Sequence, residues 1–146
     1  MRYVGIDLGD RRTGIALGDS VTRTSSPLCI VEVPMADEGG RALLTRLEKI
    51  VREQVGNSKY GIVLGLPLNM DDSEGPRAKS TRIFGERLAA LLGTQVHLQD
   101  ERLTSSEADW AMAQSGLTHK QKKARRDAIA AAAILRDFLA ALPPTE

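Results

Sequence analysis

Arg2-Tyr3-Val4-Gly5-Ile6-Asp7-Leu8-Gly9-Asp10-Arg11-Arg12-Thr13-Gly14-Ile15-Ala16-Leu17 is the stretch on which the fold turns. Residues 2–8 alternate and are rich in strand formers, 9–12 form a turn cluster, and 13–17 read as a second strand that closes a hairpin. An aspartate inside the first, apolar strand is costly unless its charge is compensated. Gly5 and Gly9 flank it and leave room for a phosphate or a metal to approach the backbone. The turn already has Asp10 to serve it, and Asp7 comes too early to cap it. Asp7 is therefore a candidate for chemistry.

Working outward, residues 27–33 read as a third strand, and Asp37-Glu38-Gly39-Gly40 breaks the chain. Residues 41–54 carry Leu43, Leu44, Leu47, Ile50 and Val51 at helical spacing. Residues 60–66 form a continuous apolar run, as expected of a central strand buried on both faces. A turn-rich loop over 67–76 leads to a helix over 77–92 with apolar Ile83, Phe84, Leu88 and Leu91. A further strand starts at 96–98, a helix is expected from Ser105 or Ser106 to about 114, and 116–126 is polar and basic. An alanine-rich helix over 127–142 ends at Pro143-Pro144. The order βββ-α-β-α-β-α-α predicts an α/β fold, a mixed central sheet flanked by helices, in one domain over 1–146.

Composition narrows the chemistry. Hydrophobic residues make up 42% of the chain, enough for a core, but aromatics only 3%, which argues against base stacking on aromatic platforms. Cys29 is the only cysteine and reads as a small buried hydrophobe; with only His97 and His119 beside it, a Cys/His metal site is excluded. His97 adjoins apolar strand residues and reads as structural. The net charge of +1 says nothing about nucleic acid, so only local charge can. The chain shows neither a leader pattern nor an apolar run of membrane-spanning length, and a cytoplasmic protein without membrane contact is expected.

Two further acidic motifs join Asp7. Leu98-Gln99-Asp100-Glu101-Arg102 places two carboxylates where a strand ends, a position where open α/β sheets bind ligands. Alternation sends Asp100 and Glu101 to opposite faces, so only one of them readily faces Asp7. Asp127 opens the last predicted helix on the side shared with Ala130, Ala131, Ile134 and Phe138, the buried side. Three separated carboxylates beside buried surface call for a shared hard divalent cation, Mg2+ or Mn2+. Such a set suits two-metal phosphodiester hydrolysis. Lys120, Lys122, Lys123, Arg125 and Arg126, with no acid among them, directly precede Asp127 and are expected to receive phosphates. Arg12 and Arg102 stand beside the acids and join them as expected nucleic-acid contacts. The loop Leu68–Pro76 could hold a phosphate on the free N–H groups of the helix that follows, against the charge of Asp71, Asp72 and Glu74.

The motifs at 5–17, 65–76 (Gly65-Leu66-Pro67 through Gly75-Pro76), 100–105 and 127–135 occur in the order seen in the YqgF/RuvX family, which the chain resembles over nearly its whole length. The resemblance implies an RNase H-like fold and a metal-dependent nuclease, acting in 5′-end processing of pre-16S rRNA or on branched DNA as Holliday-junction resolvases do. It implies metal and catalytic roles for Asp7, Glu101 and Asp127, with Asp100 the alternate to Glu101. Resolvases of the wider superfamily carry an acid on the central strand, where this chain has Gly65-Leu66-Pro67. A resolvase would act as a homodimer; end trimming would not require one. Two other classes compete. A phosphate loop of the actin and sugar-kinase type also reads Gly-Ile-Asp-Leu-Gly, but that architecture needs two such domains around its nucleotide. A non-catalytic RNA-binding ribosome-assembly factor would gain nothing from carboxylates held near phosphates.

Overall fold

The hairpin that opens the chain is the centre of a five-stranded sheet. The computed structural model describes residues 1–101 and 119–143, the side chains of 119–125 excepted. Its elements are β1 (Arg2–Asp7), β2 (Thr13–Asp19), β3 (Thr24–Val31), a short 3-10 turn (Asp37–Gly40), α1 (Arg41–Val55), β4 (Tyr60–Leu66), α2 (Pro76–Leu92), β5 (Val96–Asp100) and α3 (His119–Ala141). The helix expected over 105–114 lies outside the described residues.

The strand order is β3-β2-β1-β4-β5. β1 pairs antiparallel with β2 and parallel with β4, and β5 runs parallel to β4. The C-terminal ends of β1, β4 and β5 therefore lie at one edge of the sheet. Strand alternation sorts β1 between two cores. Val4 and Ile6 join Leu43, Leu47, Val51, Phe84 and Leu88 under α1 and α2, while Tyr3 joins Val63, Ile134, Leu135 and Leu139 under α3. Each fully buried leucine or valine stabilises the fold by about 1.5–3 kcal/mol.

Helix α3 lies very close to the sheet because both surfaces are stripped of side chains. A Cβ on Gly5 would stand 2.9 Å from the Ala131 carbonyl oxygen and 2.9 Å from Leu135 Cβ. A Cβ on Gly14 would run into the backbone of Asp127. Ala128, Ala131 and Ala132 supply the small surface on the helix side. The far end of α3 is fastened by Arg23, which donates to the carbonyls of Leu139 at 2.9 Å and Pro143 at 2.9 Å. Ser25 Oγ donates to the Ala132 carbonyl at 2.7 Å.

Three expectations are corrected. Strand β3 covers Thr24–Val31 rather than 27–33; Pro27 is tolerated inside it because β3 is an edge strand, and its pairing slips by one residue between Ile15 and Ala16. On α2 the buried stripe is Ala78, Thr81, Phe84, Gly85, Leu88 and Leu92, leaving Ile83 and Leu91 exposed; the stripe turns because Gly85 is the point of approach to Leu64 on β4. Helix α3 starts at His119, so Asp127 sits in its third turn and does not open it. Lys, Gln, Ala and Arg over 120–126 are good helix formers without apolar periodicity, and the helix extends through them.

Gly14→Ala is expected to destabilise the protein by about 3 kcal/mol, the upper end for overpacking, because backbone rather than a flexible side chain must give way. Equilibrium urea unfolding checks this; an unchanged midpoint would show that α3 does not rest on Gly14.

Candidate active site

Asp7 is the last residue of β1, and its ladder partner is Gly14 on β2. The backbone of Asp127 rests on that same glycine, which brings the third turn of α3 beside Asp7. Glu101 follows β5 directly, and its backbone N–H donates to the Leu66 carbonyl at the end of β4. Its carboxylate lies over Gly65, where a Cβ would collide with Oε2. Glu101 thus reaches from the end of β5 into space that Gly65 leaves open on β4.

The carboxyls of Asp7 and Glu101 share a hydrogen bond. Burial, then the charge of Glu101, that hydrogen bond and the charge of Asp127 push Asp7 up to about 8. Burial also raises Glu101, against the lowering effects of the Asp7 hydrogen bond and of Arg77. Both carboxyls of the pair are pushed upward by burial, Asp7 the further of the two. Burial raises Asp127 as well, opposed by Arg12 and Arg126. Asp100 ends β5 opposite Leu66, and its charge adds to the upward push on Glu101. Alternation directs it away from the face that carries Asp7.

The cations divide between the acids. Arg12 Nε stands 3.8 Å from Asp127 Oδ2. Arg77, from the first turn of α2, donates from Nη2 to the Leu8 carbonyl at 3.1 Å and from Nη1 to Asp10 Oδ1 at 3.2 Å. Arg77 is a site residue that sequence reading missed. Its signal was a cation in a helix's first turn, where the macrodipole disfavours one. Arg102 lies outside the described residues, as do the side chains of Lys120, Lys122, Lys123 and Arg125; the backbone of the latter four falls in the first two turns of α3. In the loop before α2, Asp71 accepts from Ser73 N at 3.0 Å and Glu74 pairs with Arg82, so two of its three acids brace the loop and the helix.

The remaining singled-out residues are structural. His97 stacks with Phe138 at 5.0 Å and Tyr3 at 6.1 Å between ring centroids, and burial lowers its pKa. Cys29 packs against the α1–α2 core. Among the described residues, no helix is long and apolar enough to cross a membrane. No three His, Cys, Asp or Glu groups among them form a preassembled metal cage. The donor chemistry still fits a hard divalent cation: two carboxyls in contact share a proton that a cation can replace, and Asp127 adds a third set of oxygens close enough to act on Asp7 by charge.

The family model described as RuvX, Holliday junction resolvase, matches residues 1–141. The chain belongs to the RuvX family. Among its relatives, a protein of Anaeromyxobacter sp. (strain Fw109-5) is 43% identical over 140 residues, covering 95% of this chain and 96% of the relative. One of Pelotomaculum thermopropionicum is 40% identical, covering 95% and 86%. One of Streptococcus sanguinis is 35% identical, covering 95% and 97%. Each is described as a candidate pre-16S rRNA nuclease. Among solved structures, Thermus thermophilus RuvC in complex with a Holliday junction substrate superposes with a TM-score of 0.55 at 16% identity, covering 97% of this chain and 94% of that one. This RuvX member therefore has the RNase H-like fold expected for it.

The raised Asp7 pKa makes metal-free stability depend on pH in a defined direction. The carboxyl ionises near 3.8 when unfolded and near 8 when folded, so its contribution is full below about pH 4 and is lost as pH rises to 8. Glu101 and Asp127 shift in the same direction. In EDTA, the wild-type melting temperature should fall from pH 5 to pH 8.5. Asp7→Asn, whose amide can still donate to Glu101, should flatten that fall and melt higher at pH 8.5, each 1 kcal/mol gained being worth about 4 °C. Parallel pH profiles for the two proteins would show that Asp7 does not set this pH dependence.

Proposed function

We propose that this chain is a metal-dependent nuclease that hydrolyses phosphodiester bonds in nucleic acid, with precursor 16S rRNA as its substrate and residues 1–146 acting as one domain. The observation that carries the reading is the Asp7–Glu101 carboxyl pair, set at the aligned ends of β1, β4 and β5 with Asp127 beside it. A protein that only binds RNA would have to oppose phosphate repulsion from these acids at its own surface. The rRNA substrate is supported by the names of relatives up to 43% identical over 95% of the chain. The family description supports branched DNA as a second reading, one that would call for a homodimer.

Asp7, Glu101 and Asp127 would hold Mg2+ or Mn2+, which supplies a water of lowered pKa and stabilises the leaving oxygen. Burial and mutual repulsion favour the protonated form of the Asp7–Glu101 pair, so ion loading would be coupled to proton release from the pair and strengthen as pH rises. Arg12 and Arg126 oppose the upward push of burial on Asp127. Arg11 and Arg12 line an open groove with Glu32 and Pro34 beside the hairpin turn, where a phosphodiester backbone can run. The basic positions 120–126 continue along α3 from Asp127. Phosphate contacts of this kind position a strand without reading its sequence.

Cleavage of a structured precursor rRNA fragment should need Mg2+ or Mn2+ and stop in excess EDTA. Asp7→Asn should lose more than about 100-fold in rate, beyond the 10- to 100-fold typical of outer-shell partners. Glu101→Gln should cost more than Asp100→Asn. Full activity in EDTA would sink the mechanism, and the reverse order of the last two variants would move the site to Asp100. Preferential cutting of four-way DNA junctions over RNA would favour the second reading.

Neutralising Lys120, Lys122 and Lys123 together should weaken substrate binding by Asp7→Asn protein and flatten its salt dependence. Every lysine–phosphate pairing removed takes about 0.7 off the log–log slope on single strands and about 0.9 on duplex DNA. Equal slopes with and without the three lysines would place the phosphate-binding surface elsewhere.

A further inference from the structure

Strand β1 ends at Asp7, and the chain beyond it has to be held in place by something other than the ladder. Arg77 supplies a side-chain hold beside the backbone bond that Met35 N–H donates to the Asp10 carbonyl at 2.9 Å. Its two guanidinium nitrogens take the Leu8 carbonyl at 3.1 Å and Asp10 Oδ1 at 3.2 Å, one on either side of Gly9. The grip joins the first turn of α2 to the hairpin turn across a sequence separation of 69 residues for Leu8. The same side chain is the described cation whose charge acts on both Asp7 and Glu101, whereas Arg12 and Arg126 act on Asp127. The prong on Asp10 is open to solvent, with Arg77 51% and Asp10 83% exposed, so the part-buried bond to the Leu8 carbonyl is the firmer of the two.

We propose that Arg77 is a positioning residue of the nuclease site: its two-pronged hold on the Leu8 carbonyl and Asp10 fixes the direction in which β1 delivers Asp7 to Glu101. The inference rests on the nuclease reading for its catalytic consequence and on geometry alone for the hold itself. A planar fork makes both bonds in one rigid arrangement. A lysine keeps the charge but cannot span the two acceptors in the same way.

The test compares wild type, Arg77→Lys, Arg77→Gln and Asp7→Asn. Two readouts are taken: cleavage of a structured RNA with Mn2+, and amide hydrogen exchange over residues 8–13 in metal-free protein. Arg77→Lys and Arg77→Gln should each lose about 10- to 100-fold in kcat, the scale for a small misplacement of a reacting group. Their KM should stay within about twofold, because substrate binding is untouched. Exchange over 8–13 should quicken in both variants while β4 and α1 keep their protection. Wild-type kcat in Arg77→Lys would reduce the residue to a charge and overturn the proposal. So would a raised KM with unchanged kcat, the mark of a direct phosphate contact, or faster exchange throughout the chain, the mark of a general packing role. If wild type itself cleaves nothing, the nuclease reading fails, and the exchange readout alone decides whether Arg77 holds the hairpin: unchanged exchange over 8–13 overturns it.

Discussion

At Gly14 the sheet and helix α3 meet backbone to backbone, with no side chain between them. The contact is possible only because Gly14 faces α3 from β2 and the helix answers with alanines from 128 onward. Two consequences follow from the same collision distance. The first is packing: next to Asp127 the helix meets the sheet through Ala128, Ala131 and Ala132, and the large side chains of this core, Ile134, Leu135 and Leu139, follow further along α3. The second is chemical. Gly14 is the register partner of Asp7, so the turn of α3 that lands on it carries Asp127 to the one place on β2 that adjoins β1's carboxylate. Packing and site are one constraint.

Charge is distributed around this contact in a way that keeps the acids close without cancelling them. Burial raises all three carboxylates, the charges of Glu101 and Asp127 push Asp7 up further, and the arginines only partly offset that. A site fully neutralised by arginine would be stable and have little affinity for a cation. A site with no arginine would protonate further and give up its oxygens. The balance favours a proton on the Asp7–Glu101 pair, one that a divalent ion can displace. Stability of the metal-free protein and readiness to bind metal therefore move in opposite directions with pH.

Much of the fold was legible in the sequence. The hairpin, the apolar β4 run and the α1 stripe each carry an unambiguous period, and their order already implies a mixed sheet. Asp7 was visible as an acid amid apolar strand residues, and Asp127 as an acid on the buried side of a helix. Three features were not legible. Glu101 and Asp100 differ by one step of alternation, and sequence gives the parity within β5 but not how that parity matches β1. The structure supplies the link through the ring contact of His97 with Tyr3: Glu101 shares parity with His97, and Asp7 with Tyr3. The start of α3 was missed because its first two turns carry charge rather than an apolar stripe, so their helicity comes from propensity and continuity alone. Arg77 was overlooked because its partners are 67 and 69 residues away and one of them is a backbone carbonyl.

Arg23 and Ser25 fasten α3 on the C-terminal side of Asp127, and the basic positions lie on its N-terminal side. At about 1.5 Å per residue, the eight positions 119–126 carry the helix roughly 12 Å beyond Asp127. Positions 120, 123 and 127 fall along one flank at steps of three and four, while 122 and 126 follow another. The cationic segment and the carboxylate are therefore phased like marks on a single screw. Inserting one residue between 123 and 127 would turn the lysines by about 100° about the axis and leave Asp127 where it is. Length, in this part of the chain, works as an angle.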